Sequence, residues 1–245
     1  MEESLISLSE KYCTDKRPEE HNYVQYYDFY FKRARNLSID LVEIGILEHP
    51  DKLNRPFGAA SLRMWADYFT YANIFGIDII DLRHLQQERI KIFIGDQSVP
   101  QNIRNIFVTN HLKPNIIIDD GSHIISHQQI TFGESFKYLA PGGFYVIEDI
   151  VQYQLSENQN LISVMPASFH GYAGTIPLAY TSMAHQFEHL KFTTLSVFLK
   201  YCSAGIIDSP FISKEDSRYI EQNISFCNIH KSNIFNLSIV FIRKK

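Results

Sequence analysis

Two short runs end abruptly in acids. Asn115-Ile-Ile-Ile-Asp-Asp-Gly-Ser-His123 and Gly143-Phe-Tyr-Val-Ile-Glu-Asp149 each pass from apolar, β-branched or aromatic residues straight into carboxylates. A continuous apolar run is how a parallel strand buried on both faces reads. In an open α/β sheet, ligands bind outside the carboxyl ends of the strands. On neighbouring strands, about 4.8 Å apart, Asp119, Asp120, Glu148 and Asp149 crowd into one small volume. That many carboxylates do not all stay ionised together without a cation. The chemistry expected is a hard divalent metal, which prefers oxygen ligands, held between two strand ends with His123 beside it. Asp119 or Asp120 alone, ahead of Gly121, reads as a turn residue. Their coincidence with Glu148 and Asp149 is what points to a metal.

The elements needed to position these acids are legible in order. Ile39 to Gly45 reads as a strand ending in Glu43 and Gly45, where a glycine lets backbone approach a ligand closely. A long loop from Ile46 to Ala60 follows, then a helix with Ser61 as its N-cap and Leu62, Trp65 and Phe69 on one apolar face. Ile74 to Asp78 is a second strand ending in an acid, the place where nucleoside-binding βαβ units hold ribose hydroxyls. Ile90 to Ile94 is a third strand, closed by Gly95-Asp96-Gln97-Ser98, and residues 101–110 read as helix. Ser126 to Leu139 is helical until Pro141-Gly-Gly143 stops it. Ile224 to Ile229 and Leu237 to Ile242, joined by a short polar connection, form an antiparallel hairpin at the end of an otherwise parallel sheet.

At the front, residues 1–36 have roughly helical spacing broken at Thr14-Asp-Lys-Arg-Pro18. The dense aromatic set Tyr23, Tyr26, Tyr27, Phe29, Tyr30 and Phe31 reads as an amphipathic helix packed on the main domain or as a cover over a ligand. We divide the chain into a helical N-terminal cover, 1–36, and one domain, 37–245, with a substrate-side insertion at about 151–217. Within that insertion Met183 to Tyr201 reads as one longer helix, and His170 in a glycine-rich loop is a modest candidate for substrate contact. His127, His185 and His189 read as helix-face residues, and Trp65 as core.

Composition narrows the function classes. With 45% hydrophobic and 20% charged residues, the 245-residue chain has the balance of an ordinary globular protein. A net charge of -4 argues against a nucleic-acid binder, and no apolar run is long enough to span a bilayer. Three widely spaced cysteines without a CxxC pair suggest reduced thiols in a cytoplasmic protein. No GxGxxG follows the first strand, and neither a P-loop nor a GxSxG elbow is present. What remains is Glu-x-Gly after strand one, an acid after strand two and Gly-Asp-Gln after strand three, an order that suits a nucleoside-type ligand lying across the strand ends.

Glu43-Ile-Gly45, Ser61-Leu-Arg-Met-Trp65, Gly76-Ile-Asp-Ile79, Gly95-Asp-Gln-Ser98, Ile118-Asp-Asp-Gly-Ser-His123 and Tyr145-Val-Ile-Glu-Asp149 together resemble the metal-dependent sugar O-methyltransferases. Tyr12-Cys-Thr-Asp-Lys16 and Tyr26-Tyr-Asp-Phe-Tyr30 resemble that group's N-terminal segment, and capsular heptose methyltransferases look like near neighbours. The resemblance implies the class I methyltransferase fold, Rossmann-like. That is a mostly parallel seven-stranded sheet with an antiparallel last strand and helices on both faces. It implies S-adenosyl-L-methionine and Mg2+ or Mn2+ as cofactors, and transfer of a methyl group to a sugar hydroxyl. Asp120, Glu148 and Asp149 then match the metal ligands and His123 the catalytic base. Asp78 matches the ribose-binding acid, and Asp96 and Gln97 lie near the adenine. Thr14, Glu43, Gly45 and Ser61 match the methionine end, and Asp119 joins the cofactor-binding set. The segment after strand one, Ile46-Leu-Glu-His-Pro-Asp, has fewer glycines than the family's loop, and about 165–217 does not align.

The physical reading agrees with this. A metal-bound alcohol has a lowered pKa, and an imidazole titrating near pH 6.5 suits its deprotonation. The partner expected is a nucleotide-linked or glycosidically bound sugar, as in capsule or natural-product biosynthesis, with no nucleic acid and no membrane. The tyrosine-rich segment is placed to cover its own site or a neighbouring copy's, so a homo-oligomer stays open. The rival readings are a metal-dependent hydrolase or hydroxylase-like relative, and a non-catalytic module on the same fold.

Overall fold

The computed structural model describes residues 2–46, 58–151, 153–155, 161–163, 192–232 and 237–245. Its centre is a seven-stranded sheet in the order β3-β2-β1-β4-β5-β9-β8. The strands are β1 (Asp40–Ile44), β2 (Asn73–Asp78), β3 (Ile90–Ile94), β4 (Ile116–Asp119), β5 (Phe144–Val151), β8 (Ile224–Lys231) and β9 (Leu237–Lys244). Strands β1 to β5 pair in parallel, while β9 runs antiparallel to both β5 and β8. This is the class I methyltransferase arrangement expected. A short two-stranded hairpin, β6 (Tyr153–Leu155) with β7 (Leu161–Ser163), stands apart from the main sheet.

Alternation along each strand sends side chains to two cores. Leu41, Ile74, Ile116, Ile118, Val146 and Phe241 face one side. There they meet helices α1 (Leu5–Lys11), α2 (Val24–Phe31) and α3 (Ala60–Tyr68) through Leu5, Leu8, Tyr27, Phe31, Leu62 and Trp65. Val42, Ile44, Ile77, Ile117, Tyr145, Ile147 and Val240 face the other. That side is covered by α4 (Pro100–Thr109), α5 (Ile125–Ser135), α6 (Thr194–Ala204) and α7 (Lys214–Asn223). The N-terminal residues are therefore built into the main core, with Tyr23, Val24 and Tyr27 fully buried. Among the described residues no helix is long and apolar enough to cross a membrane.

Several local expectations are corrected. Ser61 is not the N-cap of α3: Ala59 holds that place, in the left-handed region at φ 53. The cost of that conformation is met by the packing of Ala59, which is buried in the core. The helix expected over 183–201 begins at Thr194 among the described residues, because Thr193 is extended and its hydroxyl caps the Ser196 amide at 3.1 Å. It runs on to Gly205, whose left-handed φ of 71 ends it. The helix expected over 126–139 stops as α5 at Ser135 and tightens into a 3-10 turn, Phe136–Tyr138. Most of the loop after β1, and His170, His185 and His189, lie outside the described residues.

Candidate active site

Parallel pairing puts Asp119 opposite Ile147, so the acids at the ends of β4 and β5 face each other. In a regular strand Glu148 and Asp149 would point to opposite faces. Here the register between β5 and β9 shifts between Ile147 and Ile150, and Asp149 is left-handed at φ 50. A bulge of this kind re-aims side chains, and both carboxylates enter one cluster.

The centre of that cluster is a residue to which the sequence reading gave no role. Lys16 is fully buried. Its ammonium donates to Asp120 Oδ2 at 2.5 Å and to Glu148 Oε2 at 3.1 Å, and lies 3.5 Å from Glu43 Oε1 and 3.7 Å from Asp15 Oδ1. Burial alone would lower the lysine pKa, but these carboxylates outweigh it and raise the value well above normal. Lys16 is therefore cationic. Burial raises the Asp120 and Glu148 pKa values, with Lys16 opposing the shift in both.

Helix α2 and the turn before it supply neutral donors. Tyr27 donates its hydroxyl to Glu148 Oε1, and Tyr23 donates to Asp149 Oδ1 at 2.7 Å. Burial, followed by the facing carboxylates, pushes both phenols well above their usual pKa, so both keep their protons. His21 stacks on Tyr23 and lies 3.5 Å from Asp149 Oδ1. Gln128 on α5 donates to the Glu148 carbonyl at 3.0 Å. Sequence reasoning marked the tyrosines as a packed face or a cover, and missed that their hydroxyls serve the acids. The break at Thr14–Pro18 was the available signal: polar residues interrupting an apolar period have a reason to be there.

Each expected site residue has a definite place. Asp120, His123 and Asp149 each offer a ligand atom, all within 4.8 Å of one another. His123 stands at φ 57 with Nε2 3.8 Å from Asp149 Oδ2, and its buried Nδ1 has no hydrogen-bond partner among the described residues. Glu148 is not among these three, and both of its oxygens are engaged, by Lys16 and Tyr27. Glu43 accepts from the Trp65 indole at 3.1 Å and from the Ser61 hydroxyl. Burial, eased by Lys16, pushes its pKa up to about 7. Gly45, at φ 90, sits where a Cβ would be 2.1 Å from the Asp120 carbonyl oxygen. Thr14 is buried against the Met64 sulfur.

The remaining candidates shape the strand ends. Asp78 accepts from the Ile46 amide at 2.7 Å and the Ile80 amide at 2.9 Å, one on each oxygen. Asp96 is turned to Ser98, accepting from its amide and hydroxyl. The Gln97 amide is spent inside the protein: it donates to Asp119 Oδ1 at 3.1 Å and Thr131 Oγ1 at 3.2 Å, and accepts from the Ser122 amide at 2.6 Å. Asp119 is fully buried, its pKa pushed up to about 7 by burial, and its Oδ2 has no hydrogen-bond partner among the described residues. Gln97 and Asp119 thus brace the end of β4. His127, on α5, meets the Ser122 hydroxyl at 2.9 Å.

No family model matches the chain. Demethylmacrocin O-methyltransferase of Streptomyces fradiae is 37% identical over 148 residues, 60% of this chain and 36% of that protein. Mycinamicin VI 2''-O-methyltransferase of Micromonospora griseorubida matches to the same extent. The solved structure of the MycE methyltransferase from the mycinamycin biosynthetic pathway, in complex with Mg and SAH, superposes with a TM-score of 0.70 at 28% identity. It covers all of this chain and 55% of the other. The chain shares the fold of that solved methyltransferase. It spans about a third of the length of the curated methyltransferases it matches and about half of the solved chain. A second MycE structure holds mycinamycin VI together with Mg and SAH.

Proposed function

We propose that this chain transfers the methyl group of S-adenosylmethionine to a sugar hydroxyl, with the help of a magnesium- or manganese-type ion. The observation that carries this reading is the convergence of Asp120, His123 and Asp149 at the ends of β4 and β5, in a chain similar to sugar methyltransferases. Lys16 is one cation among Asp15, Glu43, Asp120 and Glu148, with Asp149 beside them. Carboxyl groups outnumber the ammonium, and their oxygens suit a divalent ion.

Asp120 and Asp149 would hold the ion, whose oxygen preference they meet. Glu148, the third acid, would join them by giving up its contact with Lys16 or Tyr27. When bound, the ion supplies Lewis acidity that lowers the pKa of a neighbouring hydroxyl. His123, steered by Asp149, takes the hydroxyl proton. The freed oxygen attacks the sulfonium methyl in line, the carbon–sulfur bond breaks, and S-adenosylhomocysteine leaves with the electron pair. The protein's share is orientation, which in such displacements is worth several orders of magnitude. Asp78 keeps lone pairs for ribose hydroxyls after accepting its two amides. Glu43, Gly45, Ser61 and Thr14 line the methionine end, with Asp96 toward the adenine.

The acceptor we favour is a deoxysugar on a natural product, because two further relatives are named for a rhamnosyl-tetracenomycin and an L-olivosyl-oleandolide; a capsular heptose or a nucleotide-linked sugar belongs in the same acceptor panel. The test is calorimetric binding of S-adenosylhomocysteine with and without magnesium, to the wild type and to Asp78→Ala. Micromolar binding weakened at least tenfold by the substitution is the expected result. No binding under any condition would overturn the methyltransferase reading and revive the hydrolase or scaffold alternatives.

A further inference from the structure

Outside the acid cluster, the fold brings together two cysteines that lie 25 positions apart. Cys202 is in the last turn of α6 and exposed, while Cys227 is on β8, the edge strand, and half-buried. The Cys202 thiol donates to the Cys227 carbonyl oxygen at 3.4 Å. A carbonyl and a side chain branch from adjacent backbone atoms, so the Cys202 sulfur lies within side-chain reach of Cys227. The contact is not incidental to a loose surface. Cys227 packs beside Ile229 and Tyr201 against the core that α6 covers with Val197 and Phe198. Both flanks of α6 are also tied to α5, since Gln129 donates to the Phe192 carbonyl at 2.7 Å and accepts from the Ser209 hydroxyl at 2.5 Å.

We propose that Cys202 and Cys227 form an oxidative modification site, a thiol pair that closes reversibly into a disulfide and pins α6 to the edge of the sheet. The oxidant is a low-molecular-weight disulfide. The Cys202 thiolate attacks it, forming a mixed disulfide and releasing one thiol. Cys227 then loses its proton and attacks the Cys202 sulfur, releasing the second. Two protein thiols are oxidised by two electrons, and one external disulfide is reduced to two thiols. The order of events follows from exposure: Cys202 faces solvent, whereas burial and the neighbouring Cys202 sulfur hold the Cys227 thiol above its usual pKa. Exposure and thiolate character decide which sulfur reacts first.

The sequence alone gave no hint of this pair, because distance along the chain hides it. The third cysteine, Cys13, donates to the Glu10 carbonyl within its own N-terminal turn and serves as an internal control.

The experiment exposes the intact protein to oxidised glutathione, then maps peptides by mass spectrometry without reduction. The expected result is one Cys202–Cys227 cross-linked peptide, Cys13 still alkylatable, and full reversal by dithiothreitol. Closing a loop of this length should also raise Tm by about 10 °C, and Cys202→Ser, at an exposed position, should abolish both cross-link and shift while leaving the reduced Tm unchanged. Cys227→Ser should instead trap a glutathione adduct on Cys202. Glutathione on Cys202 of the wild type with Cys227 left free, or Cys202 joining two chains, would overturn the proposal.

Discussion

Lys16 Nζ lies 2.5 Å from Asp120 Oδ2, across 104 positions of sequence. The contact fastens the N-terminal segment to the end of β4 and places one permanent positive charge among buried carboxylates. Removing one partner of a buried ion pair leaves an uncompensated charge and costs about 3–5 kcal/mol. Lys16→Met should therefore lower Tm by roughly 6–20 °C at the 2–4 °C per kcal/mol expected for a chain of this size. Magnesium should restore more stability to the variant than it adds to the wild type, since a divalent ion can take over part of the charge balance. Differential scanning calorimetry with and without magnesium reads both effects. A variant with unchanged Tm would mean that Lys16 is not the counter-ion of the cluster.

Glu43 gives the same region a pH signature. Its folded pKa, about 7, stands above an unfolded value of about 4.3. The folded protein then binds more protons than the unfolded chain between those values, so this group's contribution to stability is fully present below about pH 4 and lost as pH rises through 7. Glu43→Gln cannot titrate. Urea unfolding should show the variant gaining on the wild type by about 2 kcal/mol between pH 5 and 7.5. A gap that stays constant with pH, or closes as pH rises, would contradict the raised value.

Tyr27 tests the neutral donors. Its phenol is fully buried and donates to Glu148. Tyr27→Phe keeps the ring, which packs edge-on against Trp65 and Phe241, and deletes only the donor. A buried acceptor left short of a partner costs about 1–3 kcal/mol, a loss chemical denaturation should detect without change in secondary structure by circular dichroism. An unchanged midpoint would show that Lys16 alone satisfies Glu148.

The sheet and the place of the site were legible because both rest on local patterns. Apolar runs ending in acids at Asp78, Asp119 and Asp149 marked strand ends, and strand ends of a parallel sheet collect on one side. What escaped were relations set only by tertiary packing. Nothing near Lys16 in sequence says that an ammonium so close to Thr14 and Asp15 ends fully buried beside Glu148. The bulge that turns Asp149 toward Asp120 depends on the pairing of β5 with β9, nearly a hundred residues later. Ser61 read as a cap because its type suits one, while the actual cap, Ala59, is held by burial rather than by side-chain chemistry. Gln97 illustrates the opposite lesson: a polar residue after a strand looked like a ligand contact, and its amide is consumed in bracing Asp119.

Two glycines with left-handed backbone separate strain from space. Gly205, at φ 71 after α6, has nothing within 4 Å of where a Cβ would stand. Gly205→Ala should cost only the conformational penalty, about 1–2 kcal/mol. Gly45, at φ 90, has the same penalty and also a Cβ position 2.1 Å from the Asp120 carbonyl oxygen and 2.6 Å from the Gly121 Cα. Both obstacles are backbone, so the clash can be relieved only by moving β4's end away from β1, and Asp120 and His123 with it. Gly45→Ala should therefore destabilise the protein by well over the Gly205→Ala cost, adding the 1–3 kcal/mol typical of overpacking, and weaken S-adenosylhomocysteine binding at least tenfold. Gly205→Ala should leave that binding untouched. Paired melts and calorimetric titrations of the two variants decide it: equal stability losses with binding intact in both would mean that the close approach of β1 and β4 plays no part in shaping the site.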